Sequence, residues 1–285
     1  MPKLGNAGNS AERAVYGTWI RQGKIVRYWS ISAGFLGLAL ILAGVLALMA
    51  GSGKLQEGLG ILKPVLGAAA GLIAITGLLF AYIATFITLV SWRFASAGGD
   101  WQNRIHQFII DRVVQVQSGL DIGCGNGHLV ITAAKRFPGA KFAGIDYWGK
   151  DWEYSIGRCR RNAELESVPA IAFRQASASR LPYANDAFDL VISCLTFHEV
   201  GDVPDRSACL TEALRVLAPG GRFVFFDLFD ETEFWPDPAA IRRAIGAAGG
   251  NLVQDKRFID EQTLPWPLAG HRVLGGARIL VGTKS

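Results

Sequence analysis

The chain of 285 residues predicts an α/β fold, a doubly wound sheet domain, preceded by a hairpin of two long apolar helices. Two stretches carry no charge at all, Tyr28 to Gly53 (26 residues) and Pro64 to Trp92 (29 residues). Beyond residue 100, short strand-like apolar runs alternate with helix-like ones, the pattern of a sheet layered by helices. The first of those strands runs into Gly119-Leu-Asp-Ile-Gly-Cys-Gly-Asn-Gly127, an apolar strand end closed by a glycine turn.

In chain order, residues 1–27 form a basic N-terminal segment, 28–93 the two-helix hairpin and 100–285 the sheet domain. About 20 apolar residues cross a bilayer core as a helix, so spans at about 29–51 and 64–92 are each long enough. A cleaved leader is a poor description, because the first run is too long and a second follows it. A turn of about ten residues, Lys54 to Lys63, joins the two, and Pro64 suits a first helical turn. Tyr28, Trp29 and Trp92 are expected at one membrane interface, where aromatic rings collect. Gly67-Ala-Ala-Ala-Gly71 is a candidate helix-packing face.

Residues 1–93 hold eight Lys/Arg against two Asp/Glu, leaving 21 against 22 in the remainder. The excess of positive charge therefore belongs to the hairpin segment. A basic groove for nucleic acid is not expected on the sheet domain. Lys3, Arg13, Arg21, Lys24 and Arg27 precede the first apolar run, and only Lys54 and Lys63 separate the two. This asymmetry predicts a two-span membrane protein with its N-terminus and sheet domain both cytoplasmic. Arg93 to Gly99 is the expected linker.

In the sheet domain, Trp101 to Val116 reads as a helix, Ser118 to Ile122 as the first strand and His128 to Arg136 as the next helix. Later strands are expected at Lys141–Ile145, Ile171–Gln175, Phe188–Ser193, Arg222–Phe226, Asn251–Phe258 and Ala277–Gly282, with a helix at Ala239–Gly246. Pro219-Gly-Gly221 reads as the stop between a helix and a strand. The four cysteines, Cys124, Cys159, Cys194 and Cys209, form no C-x-x-C pair and read as buried free thiols. Nothing stands at metal-ligand spacing, so no metal is expected.

Gly123, Gly125 and Gly127 allow a tight bend and close approach of a ligand to the backbone. Asp146 follows Gly125 by 21 residues, the spacing of an acidic group that grips ribose hydroxyls at the end of a second strand. A nucleoside-bearing cofactor follows. A nicotinamide oxidoreductase is disfavoured by the G-x-G-x-G spacing and by the Pro-Gly-Gly stop. With Asp121 two places before the first glycine, Asp186-Ala-Phe-Asp-Leu-Val-Ile-Ser193 and Leu214-Arg-Val-Leu-Ala-Pro-Gly-Gly-Arg-Phe-Val-Phe-Phe226, the chain resembles the class I S-adenosylmethionine-dependent methyltransferases. The closest resemblance is to the branch containing the quinone-biosynthesis C-methyltransferases, and it covers about Gln117 to Phe229.

The resemblance implies a seven-stranded Rossmann-like domain and S-adenosylmethionine as cofactor. It implies that Asp121 holds the methionine ammonium, with Gly123, Cys124, Gly125 and Gly127 as the turn around that end. Asp146 is then the ribose ligand and Tyr147 the adenine platform, with Trp148 as the alternative. Ser177 stands where relatives commonly have an Asp for the adenine amino group, followed by Ala178, Leu181 and Pro182 as in the family. Ser193 lies beside the methionine part. His198 and Glu199 are the candidates for proton abstraction or acceptor orientation, since an imidazole near neutral pKa suits proton transfer. The expected activity is methyl transfer at a bilayer to a lipid, a quinone precursor or another apolar molecule. A non-catalytic adaptor, and a methyltransferase of proteins or cytosolic small molecules, are the alternatives.

Overall fold

The computed structural model describes residues 12–51, 60, 62–149, 152–271 and 273–285. It divides into two compact units, Thr18–Asp100 and a second formed by residues 12–17 with Trp101–Ser285.

The first unit is a helical pair, α1 (Gln22–Gly51) and α2 (Leu62–Phe94). Helix α1 starts six residues ahead of its charge-free stretch and α2 outruns its own at both ends, because helix formation does not stop at a charge. The expected turn at Lys54–Lys63 lies mostly outside the described residues. Leu40, Leu48, Leu72 and Ile75 stand exposed, and only 11% and 17% of the most apolar windows of α1 and α2 are buried. Such helices are long and apolar enough to cross a membrane.

Their contact is not the expected glycine face. A Cβ on Gly67 or Gly71 would meet nothing within 4 Å. The close approach is at Gly77, where a Cβ would lie 2.8 Å from the Leu36 side chain and 3.1 Å from the Leu36 nitrogen. Ser32 Oγ donates to the Gly77 carbonyl at 2.9 Å, and Phe35 stacks on Phe80. A smooth glycine surface is used only where the facing side chains leave no room for a methyl group.

In the second unit, α3 (Trp101–Ile110) precedes a seven-stranded sheet. The helix is shorter than expected. Arg112 donates to the Phe108 carbonyl at its end, and the β-branched Val113 and Val114 follow. The parallel strands are β1 (Ser118–Ile122), β2 (Lys141–Asp146), β3 (Ala172–Gln175), β4 (Phe188–Cys194) and β5 (Leu217–Asp227). Helices α4 (His128–Arg136), α5 (Ile156–Leu165) and α6 (Ser207–Arg215) lie between them in sequence. Then come α7 (Pro238–Ala247), β6 (Gly250–Arg257), the short α8 (Phe258–Glu261) and β7 (Arg278–Lys284).

The strand order is β3-β2-β1-β4-β5-β7-β6. Strand β7 inserts antiparallel between β5 and β6, which places the reversed strand inside the sheet and leaves β6 as the edge. Pro219-Gly-Gly221 falls within β5 and not ahead of it. Pairing with β4 jumps from Phe188–Leu217 to Leu190–Arg222, so the tripeptide bulges out of the ladder, with Gly220 at φ +76°.

One apolar core lies under the β4–β5 half of the sheet, where Phe197, Phe223, Phe225 and Phe229 are fully buried beside Leu210 and Leu214 of α6. Each such side chain contributes about 1.5–3 kcal/mol by leaving water. This rigid centre fixes the carboxyl ends of β1, β2, β4 and β5 next to one another, with the strand order reversing between β1 and β4. Ligands of open α/β sheets bind at such a switch point.

Candidate functional site

The glycine turn follows β1. The Gly123 and Cys124 amides donate to the Ile145 carbonyl at 2.8 and 2.9 Å, which ties the turn to the end of β2. Gly123 has φ +77°, and a Cβ there would lie 2.0 Å from Thr196 Oγ1, so this glycine serves contact between strand ends. Gly127, at φ +88°, is the N-cap of α4. Asp146 spans the same gap with its side chain, accepting from the Gly125 amide at 2.9 Å and from the Trp148 amide at 2.8 Å. Burial raises the Asp146 pKa, and those amides pull it back. Each carboxylate oxygen keeps acceptor capacity for a further donor.

Asp121 is 1% exposed, and neither of its oxygens has a well-formed hydrogen bond to any described residue. Burial, with the neighbouring Asp146 charge, pushes its pKa up to about 8. A buried carboxylate without a well-formed hydrogen bond is costly and marks a place built for a cation or donor.

Around the turn, Tyr147 is 68% exposed. Trp148 instead donates its Nε1–H to the Gly125 carbonyl at 2.8 Å and braces the turn. Tyr154, absent from the sequence-based assignment, packs its ring 3.5 Å from where a Gly125 Cβ would be and stacks on Trp152. Burial raises its phenol pKa, reinforced by Asp146, Glu153, Cys194 and Glu199.

Three predicted residues have side chains turned to other work. Ser193 Oγ donates to the Ile122 carbonyl at 3.0 Å and sews β4 to β1, leaving only its backbone for a ligand. Ala178 is packed in the apolar core. Ser177 Oγ lies 2.9 Å from Ser179 Oγ and accepts the Ser179 amide at 3.2 Å, an ordinary local serine turn. The Cys124 thiol is buried, and its pKa is driven far up by burial and by the adjacent Cys159, so it is no nucleophile. Among the described residues, no group of three or more His, Cys, Asp or Glu is placed to hold a metal.

On the other side of the switch point, His198 and Glu199 lie in a 3₁₀ turn, Phe197–Glu199, after β4. His198 Nδ1 is 2.5 Å from Asp227 Oδ1, and its Nε2 is 3.5 Å from Glu199 Oε1. Asp227 is fully buried at the end of β5 and accepts the amides of Thr196 (3.1 Å), Phe197 (2.7 Å) and Leu228 (2.7 Å). Burial alone would lower the His198 pKa. The charge and hydrogen bond of Asp227, followed by Glu199, overcome it and hold the imidazole at about 10. His198 is therefore an imidazolium at neutral pH, unlike the near-neutral base the sequence implied. Phe234, from the loop after β5, packs its ring 5.0 Å from the imidazole. Phe229 and Trp235 of that loop are buried, so the loop forms a fixed wall. Asp227 escaped assignment although its position carried a signal, a carboxylate at the carboxyl end of a buried strand.

Residues 120–225 match the family described as "Methyltransferase domain". The chain is 32% identical over 162 residues to a demethylmenaquinone methyltransferase of Thermus thermophilus, covering 56% of this chain and 66% of that protein. It is 33% identical over 108 residues to a fatty-acid O-methyltransferase of Mycolicibacterium smegmatis, covering 38% of this chain and 36% of that one. In neither does the match reach two thirds of the relative's length. A geranyl diphosphate methyltransferase solved in complex with S-adenosylmethionine aligns with a TM-score of 0.53 at 14% identity, over 68% of this chain and 89% of that chain, a likeness of fold. The family match, 106 of the 285 residues, runs over the parallel strands whose ends build this site, so residues 120–225 resemble a methyltransferase domain in sequence and the sheet has the class I methyltransferase fold.

Proposed function

We propose that this protein is a membrane-held S-adenosylmethionine-dependent methyltransferase acting on an apolar small molecule, a lipid or a quinone precursor. The observation that carries the cofactor assignment is Asp121, a buried carboxylate without a well-formed hydrogen bond beside the glycine turn. The ammonium of a methionine moiety supplies the charge and donors it lacks. Asp146, already fixed by two amides, keeps lone pairs for ribose hydroxyls, and the exposed Tyr147 suits adenine. S-adenosylmethionine when bound supplies a methyl group already activated on a sulfonium, so the protein's task is to hold two reactants in line.

His198 then orients the acceptor. Its Nδ1–H is held by Asp227, which turns Nε2–H outward as a charged donor. An acceptor oxygen that enters the site already ionised takes that hydrogen bond in place of Glu199, and the imidazolium offsets its negative charge. Apolar chemistry for the acceptor is supported by Phe234 beside the imidazole, by the two long apolar helices, and by relatives named for quinone and fatty-acid methylation. Residence in the same bilayer raises the effective concentration of such an acceptor. The basic N-terminal flank supports a cytoplasmic catalytic domain.

The test uses membranes containing the protein, methyl-labelled S-adenosylmethionine and an Asp146→Ala control. Label is expected in the organic extract and lost in the control. Label confined to protein or aqueous material would refute the apolar acceptor. Cofactor binding without transfer would make the protein a non-catalytic adaptor.

A further inference from the structure

The residues that lead into the first long helix take part in the sheet domain. Val15 and Asn162 of α5 exchange two hydrogen bonds. The Val15 amide donates to Asn162 Oδ1 and Asn162 Nδ2 donates to the Val15 carbonyl, both at 2.9 Å. Asn162 is buried, and its Nδ2 also donates to the Asn126 carbonyl inside the glycine turn at 2.9 Å. Asn126 in turn donates from Nδ2 to the Tyr16 carbonyl at 3.0 Å and accepts the Ser155 amide on Oδ1 at 3.2 Å. The Tyr16 ring lies flat on His128, the first residue of α4, with centroids 4.1 Å apart and planes 13° apart.

Asn126 is thus held from three sides, once by the segment itself and once through Asn162, whose remaining bonds go to that segment. Undocking it removes the acceptor of Asn126 Nδ2 and both bonds between Asn162 and Val15, from two buried amide side chains at the turn that borders Asp121 and Asp146. Only four residues separate Gly17 from Gln22, where α1 begins.

We propose that residues 12–17 are a positioning strap for the cofactor site. The glycine turn reaches its binding geometry only when the strap is docked, so cofactor loading is coupled to the chain that leads into the membrane helices. This rests on the methyltransferase reading above. Tyr16, Asn126 and Asn162 act through the turn and touch no reacting atom.

Linkage makes the coupling reciprocal: what the strap does for the cofactor, the cofactor must do for the strap. The full chain in detergent or nanodiscs is titrated with S-adenosylhomocysteine by calorimetry. Tyr16→Ala, which removes the ring from His128, is expected to weaken binding about tenfold, within the usual range for coupled sites. Tyr16→Phe keeps the stacking and is expected to bind within about twofold of the native chain. In the native chain, saturating S-adenosylhomocysteine is expected to slow hydrogen exchange of the Val15 amide, a readout that needs no variant to fold. Native-like binding by Tyr16→Ala, or Val15 exchange indifferent to ligand, overturns the strap alone. No binding by the native chain overturns the strap and the methyltransferase reading together.

Discussion

The Nδ1 of His198 lies 2.5 Å from Oδ1 of Asp227, two residues 29 positions apart that meet because β4 and β5 are adjacent parallel strands. The three backbone amides on Asp227 hold its carboxylate aimed at the imidazole. This pair sets what His198 can do: it is a charged donor at neutral pH.

At saturating cofactor, activity is therefore expected to be flat between about pH 7 and 9 and to fall as pH passes about 10, where His198 loses its proton. Asp227→Asn should move that falling limb toward neutrality and lower kcat by about 10²-fold. A pH–rate profile decides. A native rate that rises toward pH 10 would identify His198 as a base instead. The same pair contributes to stability: because the folded-state pKa lies above the ordinary 6.5, the contribution is complete below about pH 6.5 and is lost as pH rises through about 10.

Asp121 gives a second pH dependence, of cofactor binding. Its folded-state pKa of about 8 lies above the ordinary 3.8, so the ligand-free domain is destabilised as pH rises from about 4 to about 8 and the buried carboxyl ionises. A cationic ligand favours the ionised form. Binding of S-adenosylhomocysteine should strengthen toward pH 8 with proton release, measured by calorimetry in buffers of different ionisation enthalpy. Asp121→Asn should abolish that proton release and weaken binding about tenfold or more, while the ligand-free protein melts no earlier at pH 8.

Asp146→Ala removes the acceptor of the Gly125 and Trp148 amides as well as the proposed ribose ligand. Cofactor affinity is expected to fall by one to two orders of magnitude, corresponding to loss of charge-assisted hydrogen bonds worth about 1.5–3 kcal/mol. Titration of the variant against the native chain measures it. Unchanged affinity would place the ribose elsewhere.

In the helical pair, Gly77→Val should destabilise the α1–α2 contact by about 1–3 kcal/mol through overpacking on Leu36. Gly67→Ala and Gly71→Ala, which face open space, should change it by less than about 0.5 kcal/mol. Thermal unfolding in detergent ranks the three, and equal effects would relocate the packing face.

The sequence by itself determined the two long apolar helices, the strand–turn–helix at Gly119–Arg136 and the distance from Gly125 to Asp146. These are local properties, set by apolar run length, glycine placement and spacing along one chain. It also supplied Asp121 and His198 as candidates. Only the tertiary structure decided what those residues are. Asp121 is a carboxylate without a well-formed hydrogen bond because the sheet and α4 bury it; His198 is an imidazolium because β5 delivers Asp227 to it; the Ser193 hydroxyl bonds the Ile122 carbonyl and Ala178 packs in the core. The use of Gly77 in place of Gly67 and Gly71, and the docking of Val15 on Asn162 and of Tyr16 on Asn126, were likewise illegible. A charge state or a packing face depends on neighbours brought together across the chain, and those neighbours exist only once the strands have paired and the helices have closed over them.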